Sequence, residues 1–430
     1  MKDFARSDDP AVQAELDRLG KLSLPQGRFG LETIRALLSR VGDPQKRLPP
    51  VFHVAGTNGK GSTCAYLRSI LEAEGLTVHA ATKPHLVRYN ERIRIAGTLI
   101  SDAELAARLK VVLDAGEDLA PSFFEVTTAA TFLAFAEHPA DACVIEVGLG
   151  GRFDATNVLD HPAACGIASL GIDHEAFLLA PEDGVPVEPL ERIAFEKAGI
   201  ARPGVPLVTQ SYPKNVTRTI IEQAMQAGAR PAIRELDWFA EIGERIAYSD
   251  RHGTLDLPLP TLPGAHQADN AALAVAMLRH QSIVAVTPDA MATGIVAARW
   301  PARLQRLSTG PLTALAPGHE VWLDGGHNPD AGAAIARHFT GPVHLVIGML
   351  ANKNPHAIVD PLGERIASLS VVPVPGSESH PPAAFAASAR AFDTVADALR
   401  AISDDGLPVL VAGSLYLAGE VLRANGEVPD

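Results

Sequence analysis

The segment Gly56-Thr57-Asn58-Gly59-Lys60-Gly61-Ser62-Thr63 constrains this chain more than any other. Before it stands Val51-Phe52-His53-Val54-Ala55, a short apolar run of the kind that fills a buried strand. After it, helical spacing runs from about Gly61 to Glu74. A strand, a loop of small residues and a helix in that order form an anion cradle. The small residues let backbone N–H groups turn toward a phosphate, and the helix N-terminus adds partial positive charge. Lys60 is placed to reach outer phosphates, and the Ser62 or Thr63 hydroxyl to face a magnesium ion. The loop departs from the common G-x-x-x-x-G-K-[ST] pattern: Val54 holds the first Gly position, and Gly61 intervenes before the hydroxyl.

The rest of the chain alternates strand-like and helix-like segments. Leu31, Ile34, Leu37, Leu38 and Val41 fall at helical spacing. Strands are predicted over 77–81, 142–147 and 166–170, and helices over 123–137 and 264–279, with an irregular charged stretch at 82–98. Near Arg299-Trp300-Pro301-Ala302-Arg303 the alternation restarts. The expected strands are then 321–324, 343–347, 371–374 and 409–411, with helices at 329–338, 356–367 and 415–424. This predicts an α/β protein: a P-loop ATPase domain with a mostly parallel sheet over 1–300, and a smaller Rossmann-like α/β domain over 301–430.

Composition narrows the partners. Lysine plus arginine total 37 against 50 aspartates and glutamates, a net charge of −13, which argues against nucleic acid as the main partner. Three cysteines, Cys64, Cys143 and Cys165, in no Cys-x-x-Cys pair, suit a reducing cytosol better than a disulfide scaffold. Met1–Pro10 is charged and does not read as a signal peptide, and no apolar run is long enough to span a membrane, so a cytoplasmic protein is expected.

Further candidates stand at the ends of predicted strands. Glu146 closes an apolar run and precedes Gly148-Leu149-Gly150-Gly151-Arg152-Phe153-Asp154-Ala155-Thr156-Asn157. A carboxylate there suits a metal ligand beside a nucleotide. Asp173-His174 ends the next predicted strand, and two neighbouring strand ends at one rim favour a shared metal site. Ser122-Phe123-Phe124-Glu125 has two readings, a helix capping box or the wall of an aromatic pocket. Lys197, beside glutamates at a helix end, carries no signal by spacing alone. Asp324-Gly325-Gly326-His327-Asn328-Pro329 follows a strand and opens a helix, with Asn328 as N-cap.

Taken in order, these motifs resemble bacterial folylpolyglutamate synthase/dihydrofolate synthase, a family of the Mur ligase superfamily. The resemblance runs through Gly56–Ser62, Pro84-His85-Leu86 to Ile93, Phe124-Glu125, Glu146–Asn157, Asp173-His174 and Glu196-Lys197-Ala198-Gly199. It continues through Asn270, Arg303-Leu304-Gln305, Asp324–Pro329, Gly348-Met349-Leu350 with Lys353, and Gly413-Ser414. It implies an ATP- and Mg²⁺-dependent ligase of folate biosynthesis and one-carbon metabolism. ATP phosphorylates the carboxylate of dihydropteroate or of a reduced folate, and the amine of L-glutamate displaces phosphate from the acyl phosphate. Thr57, Asn58, Gly59, Lys60, Gly61 and Ser62 would hold the phosphates, and Asn270, Arg303 and Asp324 would complete the nucleotide site. Glu146 and His174, with Ser62, would ligate magnesium; Lys60, Lys197 and His174 would serve catalysis. Ser122, Phe123, Phe124, Glu125, Phe153, Asp154 and Ala155 would face the pterin. Lys197 matches a lysine that this family carboxylates with CO₂. A monomer that engages neither membrane nor nucleic acid is expected.

Two positions depart from the family pattern. The serine before Pro-His-Leu, a magnesium ligand in the family, is Lys83, so Thr82, a water or the lysine's own charge must stand in. The usual Pro-Gly-Arg is Pro301-Ala302-Arg303. Two rivals remain. A peptidoglycan-building Mur ligase is disfavoured because only 55 residues precede Gly56, short for a UDP-binding domain. A nucleotide-gated ATPase that joins nothing is favoured only by Lys83.

Overall fold

The structure, a computed structural model, describes residues 6–22 and 30–430. The first five residues of the charged opening stretch therefore lie outside the described residues. The chain divides into two compact units. The larger takes the chain up to Lys83, with Tyr89–Thr261 and Ala268–Ala298; the smaller takes Pro84–Arg88, Leu262–Gln267 and Arg299–Asp430.

In the larger unit eight strands form one sheet: β1 (Val51–Ala55), β2 (Val78–Ala81), β3 (Ile93–Ile95), β4 (Thr98–Leu99), β5 (Ala142–Glu146), β6 (Ala164–Ile167), β7 (Pro206–Thr209) and β8 (Arg230–Ile233). Their order is β4-β3-β2-β5-β1-β6-β7-β8. The strands from β2 through β5, β1, β6 and β7 to β8 pair in parallel, while β3 is antiparallel to both of its neighbours, β2 and β4. Every residue of β1, β5 and β6 is buried, as continuous apolar runs require when helices cover both faces. On one face the core joins Val12, Leu37, Leu109 and Phe132; on the other, Ala194, Val216 and Ile220. The helix Lys60–Ala73 is crossed closely by the helix Pro288–Ala297, where a Cβ on Gly294 would come within 2.4 Å of the Ile70 Cα.

A small antiparallel sheet, β9 (Trp238–Ile242), β10 (Ile246–Asp250) and β11 (Gly253–Leu257), was not legible in the sequence. It is tied to the helix His266–Arg279 by the Arg279–Asp250 ion pair. The smaller unit carries six strands: β12 (Gln305–Arg306), β13 (Val321–Leu323), β14 (Val343–Ile347), β15 (Ile366–Val371), β16 (Arg390–Ala391) and β17 (Val409–Ala412). Their order is β12-β13-β17-β14-β15-β16, parallel except for β12. Apolar clusters line both of its faces.

Several boundaries differ from expectation. The strand expected at 166–170 is Ala164–Ile167, so Asp173 and His174 lie on the loop beyond it rather than at its end. The strand expected at 371–374 ends at Val371, because Pro373 has no N–H for a ladder. The helix expected over 356–367 stops at Leu362, one residue after Pro361 and just before Gly363 at φ 52. Part of the stretch read as irregular, 82–98, pairs as β3 and β4.

Candidate active site

The strand order reverses at β1, with β5 on one side and β6 on the other, so the loops leaving these three strands meet at one rim. The loop after β1 is held by its neighbour. Thr57 and Asn58 N–H both donate to the Ser169 carbonyl (2.8 and 3.3 Å), and Thr57 Oγ1 exchanges hydrogen bonds with Gly171 (2.9 and 3.1 Å). Thr57 thus fixes the loop's shape. Gly59 takes φ 82 at the start of the helix, which no side chain caps. That left-handed conformation favours glycine, and a Cβ there would also lie 2.4 Å from Asn270 Oδ1, so Asn270 stands directly against the turn. The helix start at Gly59–Ser62 is therefore the part of the loop shaped to receive an anion. Ser62 is buried in the first turn, and the adjoining Thr63 Oγ1 is buried with no hydrogen-bond partner. An orphaned hydroxyl beside a phosphate loop suits a site that a nucleotide and its metal complete.

Two lysines converge on one oxygen. Lys60 Nζ donates to the Gly56 carbonyl (2.9 Å) and to the Thr57 carbonyl (3.1 Å); Lys197 Nζ donates to the same Gly56 carbonyl (2.9 Å). Lys197 is buried, and burial together with the Lys60 charge pushes its ammonium down to about 7. Two cations on one acceptor repel, so the arrangement calls for negative charge between or upon them.

The helix Pro189–Ala198 that carries Lys197 is locked to the loop after β5. Arg152 pairs with Glu182 (2.6 Å) and Glu196 (2.8 Å), and Arg192 with the same two glutamates (2.9 and 3.0 Å). Gly151 allows the approach: a Cβ there would meet the Glu196 carbonyl at 2.7 Å and Lys197 Cα at 2.9 Å. Asp154 organises this loop. Its oxygens accept from the N–H groups of Gly148 (3.0 Å), Leu149 (2.9 Å) and Thr156 (3.0 Å). Ala155 is buried in the core, and Phe153 lies under the Arg152 guanidinium.

Glu146, at the end of β5, is only 3 % exposed. Its Oε2 accepts from the Lys83 N–H (2.9 Å), while Lys83 Nζ approaches the Glu146 carbonyl (3.3 Å) and sits 4.0 Å over the Phe124 ring. Loss of hydration holds the Lys83 ammonium down to about 8. Thr82 Oγ1 donates to the Glu91 carbonyl (3.4 Å). His174 stands at φ 55 beside Asp173 Oδ2 (3.8 Å). Glu146 thus ends β5 and His174 lies on the loop beyond β6, the two strands that flank β1.

The capping-box reading of 122–125 is realised. Ser122 Oγ accepts from Glu125 N–H (3.3 Å), and Glu125 Oε2 accepts from Ser122 N–H (2.7 Å), completing the capping box. The box fixes the helix start that presents Phe123, edge-on to Tyr89, and Phe124, against which a Cβ on Gly148 would clash at 2.3 Å.

In the smaller unit Asp324 leaves β13 with both oxygens engaged, by Leu304 N–H (2.8 Å) and Gly326 N–H (2.6 Å). Ala302, where the family pattern has glycine, takes φ 55, a glycine-like conformation; the turn keeps its left-handed form, and Arg303 Nη1 folds back to the Ala302 carbonyl (2.9 Å). Asn328 caps the helix Pro329–His338, as its spacing predicts. Sequence reasoning missed the sharing of the Gly56 carbonyl and the 152–182–192–196 network; Arg and Glu spaced at 192 and 196, one helical turn apart, were the available signal for the latter.

A parallel sheet with a phosphate loop at its reversal point, and a buried carboxylate on the next strand, defines a nucleotide-dependent group-transfer enzyme. No family model matches the chain. It is 33 % identical over 418 residues to the folylpolyglutamate synthase of Lacticaseibacillus casei, covering 90 % of this chain and 92 % of that protein. It is 34 % identical over 408 residues to the dihydrofolate synthase/folylpolyglutamate synthase of Escherichia coli, covering 92 % and 91 %. Its structure matches Escherichia coli FolC in complex with DHPP and ADP with a TM-score of 0.83 at 32 % identity, covering 97 % of each chain. The Yersinia pestis bifunctional enzyme complexed with AMPPNP and Mn matches with a TM-score of 0.83 at 31 % identity, over 98 % of this chain and 99 % of that one. The chain belongs to the folylpolyglutamate synthase/dihydrofolate synthase family and is an ATP-dependent ligase. No helix among the described residues is long and apolar enough to cross a membrane.

Proposed function

We propose that this enzyme adds L-glutamate both to dihydropteroate and to reduced folates, releasing ADP and phosphate, with the roles that follow. The observation that carries the reading is the pair of lysines on the Gly56 carbonyl beside an uncapped glycine-rich helix start. Bringing an anionic nucleotide to an anionic carboxylate is the central electrostatic difficulty of such a ligation; the Lys60 ammonium answers it directly, and Lys197, once carboxylated, holds that ammonium in place. Gly59, Lys60, Gly61 and Ser62 receive the phosphates, with Asn58 and Asn270 beside them and Thr57 bracing the loop. Glu146 and His174, with Ser62, hold magnesium, which supplies charge neutralisation on the phosphate oxygens. The family pattern assigns Arg303 and Asp324 a part in nucleotide binding, 1–300 the ATP- and folate-binding role apart from the segments 84–88 and 262–267, and 301–430 the C-terminal domain. Phe123 and Phe124 offer flat apolar surface suited to a pterin ring, held in place by Ser122 and Glu125. Phe153 lines the approach, and Asp154 and Ala155 act by shaping the 148–157 loop. The enzyme works as a monomer in the cytoplasm, where its three buried, free cysteines stay reduced.

The test is an assay of purified protein with ATP, Mg²⁺ and L-glutamate, given dihydropteroate, tetrahydrofolate or a UDP-linked muramyl acceptor separately. Mass detection should find one added glutamate on each of the first two. Glutamylation of the muramyl acceptor alone would transfer the protein to the peptidoglycan ligases. Phosphate release without a new amide would leave an ATPase, and AMP with pyrophosphate would exclude the acyl-phosphate route.

Lys83 weakens magnesium binding beside Glu146 on this reading, because an ammonium near the site repels a second cation. Lys83→Ser should lower the magnesium concentration needed for half-maximal rate several-fold. A superimposable magnesium titration would remove residue 83 from the metal site.

A further inference from the structure

Three side chains of the smaller unit converge at the edge of its sheet opposite the strand ends that carry Asp324, Gly348 and Gly413. His319 precedes β13, His344 lies on β14 and Asp405 precedes β17, so all three sit where these parallel strands begin. One metal-ligating atom from each lies within 4.8 Å of the others. The backbone holds the three segments in register: Val409 N–H donates to the Glu320 carbonyl (2.8 Å) and His344 N–H to the Pro408 carbonyl (2.9 Å).

The hydrogen bonds around the rings decide what the cluster can hold. His319 Nδ1 lies 2.7 Å from the Leu407 carbonyl, which can only accept; Nδ1 therefore carries a proton, and in the neutral ring Nε2 keeps a lone pair. His344 is buried, and its Nδ1 lies 2.7 Å from Ser368 Oγ, the residue opposite it on β15. That hydroxyl can accept from a protonated Nδ1. His344 Nε2 then faces both Asp405 oxygens, at 3.0 and 3.2 Å. Asp405 is itself oriented by Ser403 Oγ (2.8 Å) and Leu407 N–H (3.1 Å). A bare imidazole nitrogen cannot face a carboxylate; a proton or a metal ion must lie between them. Spacings near 3 Å also suit two ligands of a tetrahedral ion whose bonds are each about 2.0–2.1 Å.

We propose that His319, His344 and Asp405 bind a divalent transition ion of the zinc class, with water completing the coordination. Two imidazoles and one carboxylate favour zinc, nickel or cobalt over magnesium and calcium, which prefer all-oxygen shells. The Nδ1 contacts to Leu407 and Ser368 are the outer partners that fix such ligands in tautomer and direction. The ion pins the 403–407 turn to β14 and β13 and stabilises the smaller unit away from the reaction.

The test uses untagged, full-length protein stripped with a chelator and kept in excess Mg²⁺, with a His174→Ala variant titrated alongside to separate any Co²⁺ taken up at the catalytic position. Titration with Co²⁺ should give visible ligand-field bands saturating at one equivalent, displaced by Zn²⁺, and Zn²⁺ should raise the melting temperature. Asp405→Asn and His319→Gln should each weaken Co²⁺ binding by about tenfold or more, while ligase turnover in Mg²⁺ stays unchanged. His344→Ala removes a buried group and risks the fold, so these two partly exposed positions decide the matter. No bands in the parent protein, or equal Co²⁺ affinity in parent and both variants, would overturn the site and leave a proton-bridged His344–Asp405 pair.

Discussion

Lys60→Ala abolishes ligation while leaving the fold intact. Among the described residues the Lys60 ammonium donates only to the Gly56 and Thr57 carbonyls, both within its own loop. On the role proposed for Lys60, its removal takes a positive charge away from the transferred phosphate. Losing one such donor at a developing charge costs about 3 kcal/mol or more, a hundredfold or greater fall in rate. Steady-state assays beside a melting curve check this: a collapsed rate with an unshifted melt is expected. A purified variant turning over near the parent rate would refute the phosphate-loop assignment.

Lys197→Ala should cost activity as severely, for a different reason. Carbamate formation needs a neutral amine, and CO₂ then converts a cation into an anion. Burial and the neighbouring Lys60 bring the Lys197 amine to about 7, so its neutral fraction is about half at pH 7 and grows as pH rises. An exposed lysine is almost wholly charged there. In the carbamylated state the repulsion between two ammonium groups on Gly56 becomes attraction. The parent enzyme, stripped of bicarbonate, should lose activity and regain it on bicarbonate addition, faster above pH 7 than below. Lys197→Ala should show no bicarbonate response and partial rescue by short carboxylates. A bare ammonium in fully active enzyme under labelled bicarbonate, seen by NMR, would exclude the modification.

Local signals carried much of this site. The strand–glycine loop–helix at 51–73 was legible because apolar runs, small residues and helical spacing follow one another within a single stretch. The Ser122–Glu125 capping box and the Asn328 cap were legible for the same reason. What stayed hidden depends on residues far apart in sequence. Nothing near Lys197 announces that its Nζ reaches the carbonyl of Gly56, 141 positions away. Nor does anything beside Asp154 announce that its carboxylate accepts from three backbone N–H groups. The β9–β11 sheet escaped notice because its strands are half exposed and carry charge, so no apolar run marks them.

The membership of Pro84–Arg88 in the smaller unit limits how this protein can be taken apart. Val87 is buried in that unit's core, its carbonyl accepts from Arg423 (2.9 Å), and the Leu86 backbone passes so near Gly419 that a Cβ there would lie 1.8 Å from the Leu86 oxygen. The C-terminal stretch from Arg299 onward therefore lacks part of its own interior, because that part is encoded more than two hundred codons upstream. A recombination that exchanged only the C-terminal stretch between two relatives would bring in a helix fitted to one version of the 84–88 peptide and lay it against another. The two pieces must be inherited together, and single-crossover chimeras are a poor route to new variants of this enzyme.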